Sequence, residues 1–243
     1  MDSPNGLTRV LVVMAHPDDA EFGAAGTVAR WAKEGRQVTY LILTDGNRGS
    51  SDPAMTAERL AQIRHAEQRA AAMTLGVKDV FFLGYDDGSL QPTLDLRRQI
   101  TRWIRRTKPD VVVAPDPTRR WSGQRYINHP DHRAAGEAAL DAIIPGSDTR
   151  LVFPELLDEG LEPHKVKEIY LTGSNEPDVW VDISETIDLK IAALREHRAR
   201  SASGPNWSRR SANGRPSKPP VKPSPWRKAS STSSWAIESG ALP

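Results

Sequence analysis

No cysteine occurs in the 243 residues. Disulfides and thiolate metal ligands are therefore excluded, and any bound metal must use imidazole and carboxylate groups. No apolar run approaches the roughly 18 residues of a membrane-spanning helix. The first residues, Met1-Asp2-Ser3-Pro4, lack the basic segment and apolar stretch of a signal peptide, which predicts a soluble, cytoplasmic protein with no membrane partner. No Gly-x-Gly-x-x-Gly follows the first apolar run, which argues against dinucleotide binding. Basic charge is also not in excess over most of the chain. The formal net charge is +2, yet the stretch from Ala199 to Pro243 sets eight Lys or Arg against Glu238 alone and carries +7, leaving −5 for residues 1–198. The basic character thus belongs to the C-terminal stretch and predicts no nucleic-acid partner for the fold.

What the chain does have is a regular alternation of short β-branched runs and helical patterns. A hydrophobic share of 38% suffices for one core. Strands are expected at about Arg9–Ala15, Gln37–Thr44, Val80–Leu83, Asp110–Ala114, Val166–Leu171 and Val179–Asp182. Helices are expected at about Ala20–Lys33, Thr56–Leu75, Leu94–Thr107, Asp131–Ile143 and Ile187–Arg198, with Gly35 and Gly76 closing the first two. Asp116–Asn128 reads as a long polar loop. The pattern predicts one α/β domain over residues 1–198, Rossmann-like and doubly wound, with a mostly parallel sheet and helices on both faces. If the strand order is 3-2-1-4, the loops after strands one and four meet at the topological switch point, where such sheets bind ligands.

Those two loops carry the chemistry. His16-Pro17-Asp18-Asp19 follows the first strand and leads into a helix. Pro17 suits the first turn of that helix and biases His16 towards extended backbone. From such a turn His16 and Asp19 can converge on one point while Asp18 aims elsewhere. His129-Pro130-Asp131-His132 has the same strand–turn–helix setting after Val111-Val112-Val113-Ala114. Three of the six His fall in these two blocks. One block alone reads as a capped helix start, whereas two in matching positions point to a metal site.

The blocks, with Gly23 and Gly26-Thr27 behind the first, resemble the PIG-L/LmbE-like family of zinc-dependent N-deacetylases acting on N-acetylglucosamine-type substrates. The likeness runs from about Arg9 to His197. It implies one Zn2+ per chain, or another divalent metal such as iron or manganese, held by His16, Asp19 and His132. Three protein ligands leave an open position, as in catalytic zinc sites. Asp18 is then the general base, His129, if protonated, an oxyanion stabiliser, and Asp131 the partner that orients an imidazole. In the family an Arg–x–x–Glu similar to Arg64–Glu67 faces the substrate, so Arg64 is a substrate-binding candidate, although a surface ion pair between the two fits the spacing equally. Asp87 ends the third strand and suits either a sugar hydroxyl or a turn. Arg119, Arg120, Trp121, Arg125 and Tyr126 mix cations with aromatics, which suits an anionic sugar or an ordinary solvated loop. His65 reads as a surface residue, His164 has no assigned role, and His197 suits a structural one.

The expected activity is removal of acetate from an N-acetylated amino sugar or related small molecule. An amidase acting on another conjugate keeps the mechanism and changes the leaving group. A non-catalytic sugar- or nucleotide-binding module of Rossmann-like type would need a glycine-rich phosphate loop, and none is seen. A homo-oligomer is compatible with these readings. Where relatives continue with His-x-Ser-Gln, this chain has His197-Arg198-Ala199-Arg200 and then turns to Ser, Pro, Lys and Arg. That shift predicts a disordered tail over residues 199–243, because such a composition buries too little apolar surface to offset its ordering entropy.

Overall fold

The computed structural model describes residues 6–122, 126–199 and 234–237. Strand β1 (Arg9–Met14) is followed by helices α1 (Asp19–Gly23) and α2 (Ala25–Lys33), then β2 (Gln37–Thr44), α3 (Ala57–Thr74), β3 (Asp79–Tyr85), α4 (Leu94–Thr107) and β4 (Val111–Pro115). A short hairpin of β5 (Trp121–Ser122) and β6 (Tyr126–Ile127) precedes α5 (Pro130–Asp141). Then come α6 (Glu155–Asp158), β7 (Glu168–Thr172), α7 (Ile187–Glu196) and β8 (Ser234–Ile237). The main sheet has the order β3-β2-β1-β4-β7-β8, and its pairings are parallel.

Period-two alternation distributes the central strands between two cores. Val10, Val12 and Met14 pack with Tyr40 and Ile42 against α1, α2, α3 and α7. Leu11 and Val13 pack with Leu41, Leu43 and Val112 against Leu96, Ile100 and Ile104 of α4 and the alanines of α5. Each such apolar side chain, once buried, contributes about 1.5–3 kcal/mol. Helix α5 reaches the sheet edge because Gly136 has no side chain: a Cβ there would overlap the Pro115 carbonyl oxygen.

The order 3-2-1-4 is observed, with Val10, Leu11 and Val12 of β1 facing Val111, Val112 and Val113 of β4. Two expectations need correction. The helix expected over Ala20–Lys33 is two helices, broken at Ala24, whose φ of −138° is not helical. The Phe22 carbonyl near that break accepts from Lys190 Nζ at 3.0 Å. Val179–Asp182 forms no strand. The Asp182 carbonyl accepts from Arg30 at 3.0 Å, and its carboxylate accepts the Ser184 amide at 2.9 Å, so local turn bonds replace ladder bonds. Within the stretch expected to be disordered, Ser234–Ile237 pairs in register with Ile169–Thr172 of β7. Ala199 is also placed, its amide donating to Glu67 Oε1 at 2.8 Å. The other residues of that expectation, 200–233 and 238–243, lie outside the described residues.

Candidate active site

The first block is built by the end of β1 and the start of α1. Thr44 of β2 donates through both its amide and its hydroxyl to the Ala15 carbonyl at 2.8 Å, which pins the loop to the sheet. Asp18 then takes a left-handed backbone conformation, φ 97° and ψ −22°. Such a conformation costs a non-glycine residue roughly 1–3 kcal/mol and persists only where the surroundings enforce it. Its carbonyl receives the amides of Glu21 and Phe22, so this turn starts α1. The second block is the start of α5. Pro130 occupies its first turn, and His129 Nδ1 accepts the Asp131 amide at 3.2 Å. That contact assigns the proton of a neutral His129 to Nε2.

The two blocks converge as the topology requires. Asp19 lies between two imidazoles, with Oδ2 at 3.3 Å from His16 Nδ1 and Oδ1 at 3.1 Å from His132 Nε2. Each ring turns its other nitrogen to an oxygen. His16 Nε2 meets Asp131 Oδ2 at 3.1 Å, and His132 Nδ1 meets Asn128 Oδ1 at 2.9 Å. Asp131 is fully buried and also accepts the Gly88 and Leu90 amides at 2.7 and 3.2 Å. Asp87 Oδ1 lies 3.1 Å from His16 Nε2 and 3.9 Å from His129 Nε2. The rings of His16 and His129 meet edge-on at 4.7 Å.

Charge follows from this packing. Burial alone would depress the His16 imidazolium, but Asp19, Asp131 and Asp87 push its pKa up to about 12. Burial opposes ionisation of Asp19, and the positive charge of His132 and His16 overrides it, holding the carboxyl well below its usual range. Asp87 and Asp131 are likewise lowered against burial, mainly by the His16 hydrogen bonds. Three carboxylates therefore stay ionised around one ring, a concentration of negative charge that favours a cation: the imidazolium proton, or a metal ion that displaces it. His129 moves the other way. Burial and the charge of His16 lower its pKa, with Asp131 and Asp87 opposing. That direction favours the neutral ring, which still offers Nε2–H as a donor.

The donors suit a divalent cation. His16, Asp19 and His132 each offer a ligand atom within 4.8 Å of the others, and His16, Asp87, His129 and Asp131 form a second such group. In the first group the far nitrogen of each imidazole is already held by an oxygen acceptor, the arrangement that orients metal-binding histidines.

The remaining candidates sit behind this edge. Arg64 is 4% exposed; it donates to the Gly46 carbonyl at 2.9 Å and to the Pro17 carbonyl, and lies 3.4 Å from Asp18 Oδ1. Its guanidinium therefore grips the Pro17–Asp18 turn from within, and Glu67 pairs with Ala199 as described above. Trp121 and Tyr126 are exposed on the hairpin, while Arg125 lies outside the described residues. His65 is half-buried, stacked on Phe82 and paired with Asp45 at 2.9 Å. His164 Nε2 donates to the Pro109 carbonyl at 2.7 Å, away from the two blocks in sequence. Three residues of the site's surroundings escaped the sequence reading: Glu21, Gln68 and Asn128. A helical-face argument could have found one of them, since Gln68 stands four residues after Arg64 on α3.

Comparison with known proteins identifies relatives of this chain. The PIG-L family, described as GlcNAc-PI de-N-acetylase, matches residues 11–143. The chain belongs to the PIG-L family. Diacetylchitobiose deacetylase of Thermococcus kodakarensis is 34% identical over 193 residues, covering 79% of this chain and 70% of that protein. A probable N-acetyl-alpha-D-glucosaminyl L-malate deacetylase 2 of Bacillus anthracis is 30% identical, covering 80% and 82%. The solved N,N′-diacetylchitobiose deacetylase of Pyrococcus horikoshii superposes with a TM-score of 0.78 at 32% identity, covering 87% of this chain and 77% of that one. The PIG-L match spans β1 to α5 and both His-Pro-Asp blocks. Among the described residues of this PIG-L protein no helix is long and apolar enough to cross a membrane.

Proposed function

We propose that this PIG-L protein removes acetate from an N-acetylated amino sugar, using one divalent cation, zinc by preference. The observation that carries the reading is Asp19 lying between His16 Nδ1 and His132 Nε2, at the crevice where both blocks meet. Two imidazoles and one carboxylate without thiolate suit zinc, and also iron or manganese. When bound, such a cation supplies Lewis-acid polarisation of the amide carbonyl and acidifies water.

The residues of the chain then divide the work. His16, Asp19 and His132 hold the cation, and Asp131 and Asn128 keep the two rings turned towards it. Asp18 takes the proton of the attacking water and returns one to the departing nitrogen, so that water and amide become acetate and amine. His129, with Nε2–H, donates to the oxygen that gains charge as the carbonyl carbon becomes tetrahedral. Asp87, beside His16 and His129, accepts from a sugar hydroxyl. Arg64 supports the Asp18 turn from beneath rather than contacting the substrate. The relatives' names support an amino-sugar substrate, and diacetylchitobiose and N-acetylglucosaminyl malate are the first two compounds to try.

The test is acetate release by the zinc-loaded full chain from N,N′-diacetylchitobiose, N-acetylglucosaminyl malate and simple N-acetylglucosamine, beside non-sugar acetamides. Release from at least one sugar is expected. Turnover of non-sugar amides alone would replace this reading with the amidase one, and no turnover from fully loaded protein would overturn both. We also propose residues 1–198 as the catalytic unit, with the composition shift at Ala199 in support; brief proteolysis that leaves a folded fragment of that size is the expected result.

A further inference from the structure

A buried chain of hydrogen bonds runs from the amide of Asp18 to the last helix. The Asp18 amide donates to Gln68 Oε1 at 2.8 Å. Gln68 Nε2 donates to Glu21, at 3.0 Å from Oε1 and 3.1 Å from Oε2. His197 Nε2 meets Glu21 Oε2 at 3.1 Å. Asp18, Glu21, Gln68 and His197 are 1%, 0%, 0% and 3% exposed, so solvent does not substitute for any of these partners. They come from the α1 turn, α1, α3 and the end of α7, and no residue of the proposed ligand set is among them.

The order of the groups matters more than their burial. A glutamine side chain can rotate its amide by half a turn and exchange donor for acceptor. Glu21 forbids that exchange here, because the rotated amide would set oxygen against carboxylate and NH2 against the Asp18 N–H. Glu21 thus dictates which end of Gln68 faces Asp18, and His197 holds Glu21. Arg64, one helical turn before Gln68 on α3, grips the preceding Pro17 carbonyl. The backbone at Asp18 is left-handed, a conformation that reverts unless something enforces it.

We propose that Gln68, oriented by Glu21 and His197, is the positioning group that holds the Asp18 amide, and through it the Asp18 carboxylate, in the geometry needed for proton transfer. This rests on the base role given to Asp18 above. Gln68 itself touches neither substrate nor cation.

The experiment follows kcat, KM, zinc content and thermal unfolding of the full chain with N,N′-diacetylchitobiose, together with amide exchange at Asp18. In Gln68→Leu, kcat falls by about 10- to 100-fold, as for other supporting residues around reactive centres. KM stays within about twofold and zinc content is unchanged, because only transition-state geometry is lost. The Asp18 amide exchanges faster than in the parent. A purely structural Gln68 would lower the unfolding temperature and leave kcat of the folded protein intact, and that result overturns the proposal.

A second pair of variants covers the case in which Gln68→Leu does not fold. Gln68→Glu keeps an acceptor for Asp18 but sets two carboxylates together, so kcat falls. Adding Glu21→Gln restores one donor facing one carboxylate with the polarity reversed, and kcat recovers to within about threefold of the parent, the error of a well-paired swap. A double variant no better than Gln68→Glu alone overturns the proposal. Full activity of Asp18→Asn would sink the base reading and the proposal with it. An inactive Asp18→Asn beside a fully active Gln68→Leu sinks the positioning role alone.

Discussion

His16 and His197 are both buried imidazoles that face carboxylates, and they stand on either side of α1. His197 meets one carboxylate, Glu21, in a closed pair with side chains 3% and 0% exposed. His16 meets three, Asp19, Asp87 and Asp131, within 3.3 Å. Its neighbours His129 and His132 keep side chains 35% and 25% exposed, so the cluster opens to solvent on one side. The lesson is that a buried histidine with a carboxylate is by itself an ordinary structural pair. Surplus carboxylate charge together with an open side is what makes a place for a cation and a substrate.

The largest effects should come from breaking the open cluster. His132→Ala or Asp19→Ala removes one of three ligands, so zinc content should fall from about one per chain to near zero, and activity with it. Elemental analysis after dialysis and acetate release check this together. Full occupancy with unchanged affinity in His132→Ala would sink the ligand assignment. Chelation of the parent protein should reproduce the loss, and added zinc should reverse it.

Asp18→Asn is gentler because it is nearly isosteric and leaves the ligands alone. Turnover should drop by about 10²- to 10⁴-fold with zinc retained. Loss of zinc from this variant, with Asp19→Ala keeping it, would mean that the two neighbouring carboxylates have exchanged roles. His129→Ala should also lower kcat while keeping the metal.

The closed pair should answer mainly in stability, with a smaller loss of kcat through Gln68. His197→Ala leaves Glu21 short of a buried partner, a loss of about 3 kcal/mol. Chemical denaturation should register that change with zinc content unaltered. If His197→Ala instead stripped the metal, the two regions would not be separable as drawn.

The smallest expected effect lies at the other end of β4, where Asp110 offers a third kind of carboxylate. It accepts the Thr8 and Arg9 amides at 2.9 and 3.1 Å and pairs with Lys167 at 2.8 Å. Burial works against its charge, yet Lys167 and the two amides hold its pKa down to about 2 from 3.8. A depressed folded-state pKa stabilises the fold fully above the unfolded value and loses that contribution as pH falls through the folded one. Asp110→Asn should therefore cost about 1–2 kcal/mol at pH 7, and the difference from the parent should vanish between pH 3.8 and about 2. A gap that stays constant across that range would show that the carboxylate charge contributes nothing.

Much of the fold was legible before any coordinates. The β-branched runs at Val10–Met14 and Val111–Ala114 can lie only in a sheet covered on both faces, and helices separate them, so a parallel order follows. Val179–Asp182 misled because alternation over four residues is weak beside the local turn bonds of Asp182. The helix break at Ala24 was not legible although Gly23 stands just before it, because a single glycine inside a helical pattern is often tolerated.

The sequence by itself determined the donor types and their spacing: His-Pro-Asp twice, each after a strand, with no thiolate to compete. Residue chemistry and chain connectivity suffice for that, because both are local. Only the tertiary structure decided which nitrogen faces which oxygen, that three carboxylates surround His16, and that Arg64 turns inward to Pro17 and Asp18. It alone brought Gln68 to the Asp18 amide and Glu21 to Gln68. Those contacts join positions 47 to 176 residues apart. Side-chain direction at such separations is set by how helices seat on the sheet, a property of the packed whole that no local pattern encodes.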